Sequence, residues 1–261
     1  MKTALITACL CAAFHHALPA QSDTSSARHS AFTASTGVSH AARRDATASP
    51  SLFTGAGYDA TVGYVQARGD HGLLLGVSLG LSQHHVNAVD VASAASERLT
   101  ETALDARVLR PFTLPRSSGT MELGAMLSVD VANSEHQYAD PSRRHADFYM
   151  ASITLGPAVE WTRPALWGTW RAQLTSPLVG LASHPYSDTR GALEPTKIRV
   201  TNLASLRGFT GAIGLIQAVR GRIGVECIYR VRALEYADVQ PLRSVSQSLS
   251  VVIIARTGGA R

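Results

Sequence analysis

Apolar and polar residues alternate along this chain with a period of two, the spacing that sends successive side chains to opposite faces of an extended strand. Between Arg222 and Leu234, one face carries Ile223, Val225, Cys227, Tyr229, Val231 and Ala233, and the other Arg222, Gly224, Glu226, Ile228, Arg230 and Arg232. The split recurs with Met121, Leu123, Ala125, Leu127, Val129 and Val131 against Glu122, Gly124, Met126, Ser128 and Asp130. Leu73, Leu75, Val77, Leu79 and Leu81 oppose Gly72, Leu74, Gly76, Ser78, Gly80, Ser82 and His84, and near the end Val245, Leu249, Val251 and Ile253 oppose Ser244, Ser246, Ser248 and Ser250. None of these segments carries helical spacing.

Alternation of this kind also occurs in soluble sandwiches and lipocalin-like barrels, with the apolar face turned inward. Their strands usually run about 5 or 6 residues. Here the pattern holds for about 12, enough to cross a hydrocarbon core at a tilt of about 45°. The polar faces are crowded with Gly and Ser, which suits the inner wall of a narrow barrel.

Nine strong segments are predicted, over 52–67, 72–86, 98–112, 120–132, 147–161, 166–181, 206–219, 222–234 and 244–256. Their links alternate short and long, as they do when tight turns close one end of a membrane barrel and loops the other. The first strong segment leads into a short link, so an earlier strand has to precede it; 30–41 supplies it, followed by a loop over 42–51 and a long loop later over 182–205. The fold class expected is therefore all-β, a closed antiparallel transmembrane barrel of 10 strands, with 8 or 12 as alternatives. Trp161, Trp167 and Trp170 flank one short link, and Phe112 and Tyr64 lie close to two others, as aromatic residues do at a bilayer boundary.

The first twenty residues read as an export signal, with Lys2, an apolar stretch from Ala4 to Phe14 and Leu18-Pro19-Ala20 before Gln21. Residues 21–29 form a polar lead-in, 30–256 the barrel and 257–261 a tail. Cys9 and Cys11 fall inside the signal, leaving Cys227 without an internal disulfide partner; a lipidated Cys9 is the lesser reading of that segment. Nowhere do about 18 unbroken apolar residues occur, which excludes a helical span. The net charge is +5, with arginines scattered among carboxylates, so no basic stripe suggests a nucleic-acid partner.

On the predicted inner wall fall Asp59, Glu101, Asp105, Arg107, Glu122, Asp130, Glu160, Arg171, Glu226, Arg230 and Arg232. Opposed carboxylates and guanidinium groups in a narrow lumen pair with one another and plug it. A solvated constriction that selects small solutes is the second reading. A hydrolase at the loop rim, built from Ser82, His84, His85, His136, His145, Asp140 and Asp147, is the third, although their spacing matches no nucleophile motif. Those histidines also offer imidazoles to a metal, but adjacent His84 and His85 must point to opposite faces, and no metal or cofactor is expected. Arg43-Arg44 and Arg143-Arg144, assigned to outside loops, offer charge to anionic lipopolysaccharide.

The whole pattern after the signal, with Ser176-Pro177-Leu178-Val179-Gly180 and Ser183-His184-Pro185-Tyr186-Ser187 at a strand end and loop start, resembles the small porin-like outer-membrane barrels of Gram-negative bacteria. That resemblance implies a site in the outer membrane, contacts with its lipid and lipopolysaccharide, and insertion by the barrel-assembly machinery. Such proteins commonly end on an aromatic residue, whereas here Val251-Val252-Ile253-Ile254-Ala255-Arg256 is followed by Thr257-Gly258-Gly259-Ala260-Arg261.

Overall fold

The computed structural model describes residues 30–45, 49–68, 72–89, 95–112, 119–137, 146–184, 198–237 and 241–257. The expected signal, the lead-in and most of the tail lie outside the described residues, as do Asp140, Arg143, Arg144 and His145.

The strands are β1 (Ser30–Asp45), β2 (Ser49–Arg68), β3 (Leu73–Ala88), β4 (Ser96–Phe112), β5 (Thr120–Gln137), β6 (Ala146–Ala165), β7 (Gly168–Thr175), β8 (Val179–Ser183), β9 (Ile198–Asn202), β10 (Leu206–Arg220), β11 (Ile223–Tyr236) and β12 (Leu242–Thr257). Ten of them close a ring in the order β5-β4-β3-β2-β1-β12-β11-β10-β7-β6, sealed by the β5–β6 ladder, and every pairing is antiparallel. β8 and β9 stand outside that ring as a pair attached to β6. Short links at one end, such as Gly221-Arg222, where Gly221 takes a φ of 54° that a side chain would resist, define a turn end. The first and last described strands meet there, with the Ser30 and Thr257 hydroxyls 2.6 Å apart. The opposite end is the loop end.

Alternation in the sequence becomes the two sides of this wall. Phe32, Val62, Leu79, Leu104, Leu127, Ile153, Ile213 and Ile253 point outward and are 44–56% exposed. Inward on the same strands lie the small and polar positions, among them Ser39, Asp59, Ser128, Ser152 and Ser250, all buried. The soluble alternative required the reverse. Toward the turn end Phe32 and Tyr64 pack at 4.9 Å between ring centroids, and Phe112, Trp167 and Trp170 are exposed, an outward aromatic rim.

Sequence expectation and structure part at four places. β1 runs on to Asp45 and β2 begins at Ser49, so the loop expected over 42–51 shrinks to three residues; the alternation that ends at Ala41 in apolar terms continues through Arg43. β5 continues to Gln137, past the expected end at 132, because the ladder to β4 outlasts the amphipathic pattern once both faces are polar. The single segment expected over 166–181 is broken at Ser176-Pro177-Leu178, where Pro177 has no N–H to give. Finally, the loop expected over 182–205 contains β9.

Candidate functional site in the barrel lumen

Toward the loop end the lumen is filled. Ala41, Phe53, Val86, Ala95 and Leu99 form one buried cluster on β1 to β4. Met150, Ala182, Leu206, Tyr236 and Leu242 form another on the remaining wall. Between them sits an ion pair with both side chains almost wholly buried, Arg43 Nε 3.7 Å from Glu97 Oε1. Arg43 thus belongs to the lumen and not to an outside loop, while Arg44 is exposed. The signal for Arg43 was present in its parity, since positions 37, 39, 41 and 43 all face inward along β1.

Further from the loop end, the eleven charged candidates separate into paired and unpaired groups. Arg232 Nη2 on β11 donates to Asp130 Oδ1 on β5 at 2.9 Å. These strands are four places apart around the ring in one direction and six in the other, so this pair crosses the lumen as a strut. Arg107 Nη1 on β4 donates to Glu160 Oε2 on β6 at 2.9 Å, and Gln173 Nε2 adds a second donor to the same oxygen at 2.8 Å. Arg171 on β7 grips Glu226 on β11 with two donors, Nε to Oε1 at 2.9 Å and Nη2 to Oε2, the bidentate fork that makes such pairs strong. Glu226 has no exposure at all.

Other carboxylates take hydroxyl donors instead of cations. Ser250 Oγ donates to Asp59 Oδ2 at 2.9 Å, Ser128 Oγ to Asp105 Oδ1 at 2.6 Å and Ser82 Oγ to Glu101 Oε2 at 3.2 Å. Glu122, register-opposite Glu160, keeps a buried Oε2 with no hydrogen-bond partner. Arg230 has neither a hydrogen bond nor an ion pair among the described residues.

Glycines across the wall make room for these groups. A Cβ at Gly76 would sit 2.8 Å from Arg107 Nε, and one at Gly214 would collide with Glu226 Oε1. Gly214→Ala should therefore dislodge Glu226 from Arg171 and cost about 1–3 kcal/mol. Gly211→Ala on the same strand meets nothing nearer than the Phe209 ring at 4.0 Å and should stay within about 0.5 kcal/mol of wild type. Urea titration of the refolded barrel measures both.

A cavity of about 270 Å³ lies among these residues, lined by Asp105, Arg107, Asp130, Glu160, Arg171, Arg230 and Arg232 with Ser and Thr side chains between them. Past the Arg232–Asp130 strut the free space falls to about 20 Å³, room for one water molecule. His84 faces inward and is buried, with both ring nitrogens unpartnered, while His85 faces out. Ser82 directs its hydroxyl to Glu101 and not to His84, so the base–nucleophile contact that a hydrolase needs is absent there. Among the described residues, no three His, Cys, Asp or Glu side chains are arranged to hold a metal ion.

No family model matches the chain, and no curated protein matches it. Solved structures do. The outer membrane protease OmpT from Escherichia coli superposes with a TM-score of 0.53 at 7% identity, covering 90% of this chain and 98% of that one. The translocator domain of the autotransporter NalP from Neisseria meningitidis gives 0.51 at 10% identity, covering 90% of each. At these identities the likeness is one of fold alone. Closed antiparallel ring, outward apolar girdle and aromatic rim together are the fold of a small outer-membrane β-barrel, and they place the protein in the outer membrane.

Proposed function

We propose that this protein is a structural, porin-like barrel whose lumen is shut at rest. The observation that carries this reading is the filled loop-side half of the lumen, two packed apolar clusters with the buried Arg43–Glu97 ion pair, to which the Arg232–Asp130 strut adds a second crossing. An open pore needs a continuous column of water, and a filled half-lumen offers none. The charge lining is then a set of internal braces: three ion pairs and the Ser250–Asp59 hydrogen bond join strands that share no ladder, while Ser128–Asp105 and Ser82–Glu101 tie register partners on neighbouring strands.

Reconstitution in a planar bilayer tests this. Many insertions should pass without resolved unitary steps at moderate voltage. Regular steps of one size would show a conducting lumen and overturn the closed reading. Asp130→Ala with Arg232→Ala should remain silent, because the two apolar clusters still close the loop end.

Bilayer lipid and lipopolysaccharide are the proposed partners of the outer surface, and the barrel-assembly machinery the proposed agent of insertion. Supporting the lipopolysaccharide contact, Arg44 on β1 lies register-opposite Arg243 on β12, both exposed at the loop end. Glu235 already offsets Arg243 at 2.8 Å, which leaves the exposed Arg44 as the guanidinium that an anionic head group would meet.

A further inference from the structure

The barrel wall is not stitched equally all round. β7 and β10 share seven rungs, from Thr175↔Thr210 to Thr169↔Ile216, against seventeen for β5 and β6. Beyond Thr175 the chain turns through Ser176-Pro177-Leu178. On its β6 side this turn is satisfied: Ser176 N donates to Pro157 O at 3.4 Å and Leu178 N to Leu155 O at 3.0 Å. Its other side is not, because β8 goes on to pair with β9, while β10 restarts at Leu206 with Tyr236 of β11 as its ladder partner. Among the described residues, one hydrogen bond crosses from 176–183 to 206–209, Ser176 Oγ to Gly208 O at 2.8 Å.

This weak seam lies at the depth of the apolar girdle. Leu174, Leu178, Val179, Phe209 and Ile213 around it point outward with exposures of 46–52%. Thr175, Ser176, Pro177, Gly208 and Thr210 also line the 270 Å³ cavity, so that space reaches the seam from within. Arg230 stands on the same lining with no hydrogen bond or ion pair of its own, between the short side chains of Ala212 and Ser248 in register; it feels the charge of Glu226, whose two oxygens are already taken by Arg171. Unsatisfied backbone facing hydrocarbon is costly, and it persists where it lines a cavity.

We propose that the seam between the Ser176–Leu178 turn and Gly208-Phe209 is a lateral portal from the bilayer, and that it admits a single-chain amphiphile with a carboxylate head group. The carboxylate pairs with Arg230 inside the cavity, and the tail leaves through the seam between Leu178 and Phe209. A guanidinium matches a carboxylate with two parallel N–H donors. The cavity sits just below the range of about 300–1,000 Å³ usual for small-molecule sites, which suits a head group and its first methylenes and not a two-chain lipid. This rests on the closed-lumen reading above, since a lumen shut toward the loops leaves the membrane as the approach.

The test uses the full chain in phosphatidylcholine liposomes with a fatty acid carrying a diazirine in its tail, the adducts being mapped by mass spectrometry. Adducts at Leu178, Phe209 and their neighbours should exceed those at Leu79 and Leu127 roughly tenfold, and Arg230→Gln should erase that excess while leaving the girdle adducts unchanged. Arg230→Lys should restore part of it, and a probe of equal length ending in an alcohol should show no preference for the seam. Even labelling around the girdle overturns the portal, and an excess that survives Arg230→Gln overturns the head-group site. Displacement of the probe by millimolar acetate would mean a water-borne anion site and likewise overturn the portal. Unitary conductance would sink the closed-lumen reading separately, without touching the labelling pattern.

Discussion

Arg171→Ala should lower the stability of the barrel by about 3–5 kcal/mol, the cost of leaving one member of a buried ion pair alone. Glu226 has no exposure and both its oxygens bind the Arg171 guanidinium, so truncation strands a carboxylate with nowhere to turn. The companion variant separates this from lost packing. Arg171→Met with Glu226→Leu removes both charges at similar volume and should come within about 1 kcal/mol of wild type or exceed it. Heat-modifiable gel migration gives the readout, as the temperature at which the folded band disappears. If the single and double variants lose the same stability, the pair is not what braces β7 to β11.

Leu79→Arg should cost about 2–4 kcal/mol when the barrel is folded into lipid, since an arginine in the hydrocarbon band is expensive in proportion to its depth. Leu79 is 48% exposed, midway along the outward face of β3, with Val77 and Leu81 on either side at 52% and 50%. In a protein surrounded by water, the same substitution at a half-exposed site would be almost neutral. Urea unfolding in liposomes measures the difference directly. A negligible cost would mean that this face does not meet acyl chains, and the membrane reading would go with it.

Sequence made the wall legible and left its internal bracing obscure, for a physical reason. A period of two tells which side of a strand a residue occupies, so Glu226, Arg230 and Arg232 could be placed on one face of β11 from the alternation with Val225, Tyr229 and Val231 alone. It does not tell which strand lies across the lumen or at what height. Arg232 meets Asp130, more than one hundred positions earlier in the chain, because ring order and register bring β11 and β5 to face each other. Alternation is also harder to read where both faces are wet: Arg43 keeps the inward parity of positions 37, 39 and 41, but it and Glu97 sit beyond the apolar stretches that mark a strand. β9 escaped for want of length, since Ile198 and Val200 alternate with Arg199 and Thr201 over five residues inside a polar region. The break at Pro177 was written in the sequence as a missing N–H, but its effect on the neighbouring ladder depends on where Gly208 happens to lie.

The ring is closed by β1 against β12, a ladder of sixteen pairs that begins with Ser30 opposite Thr257. Every other junction in the ring is spanned by a far shorter stretch of chain, so hairpins can zip locally while this one waits for the whole sheet to be strung out. Closing so large a loop carries the greatest entropy penalty of any step in assembly. Until it happens, two long rows of bare amide and carbonyl groups face outward, open to pairing with any other chain. Deleting β12 would therefore do more than shorten the protein: it would leave a curled sheet with two sticky margins, prone to joining its own kind.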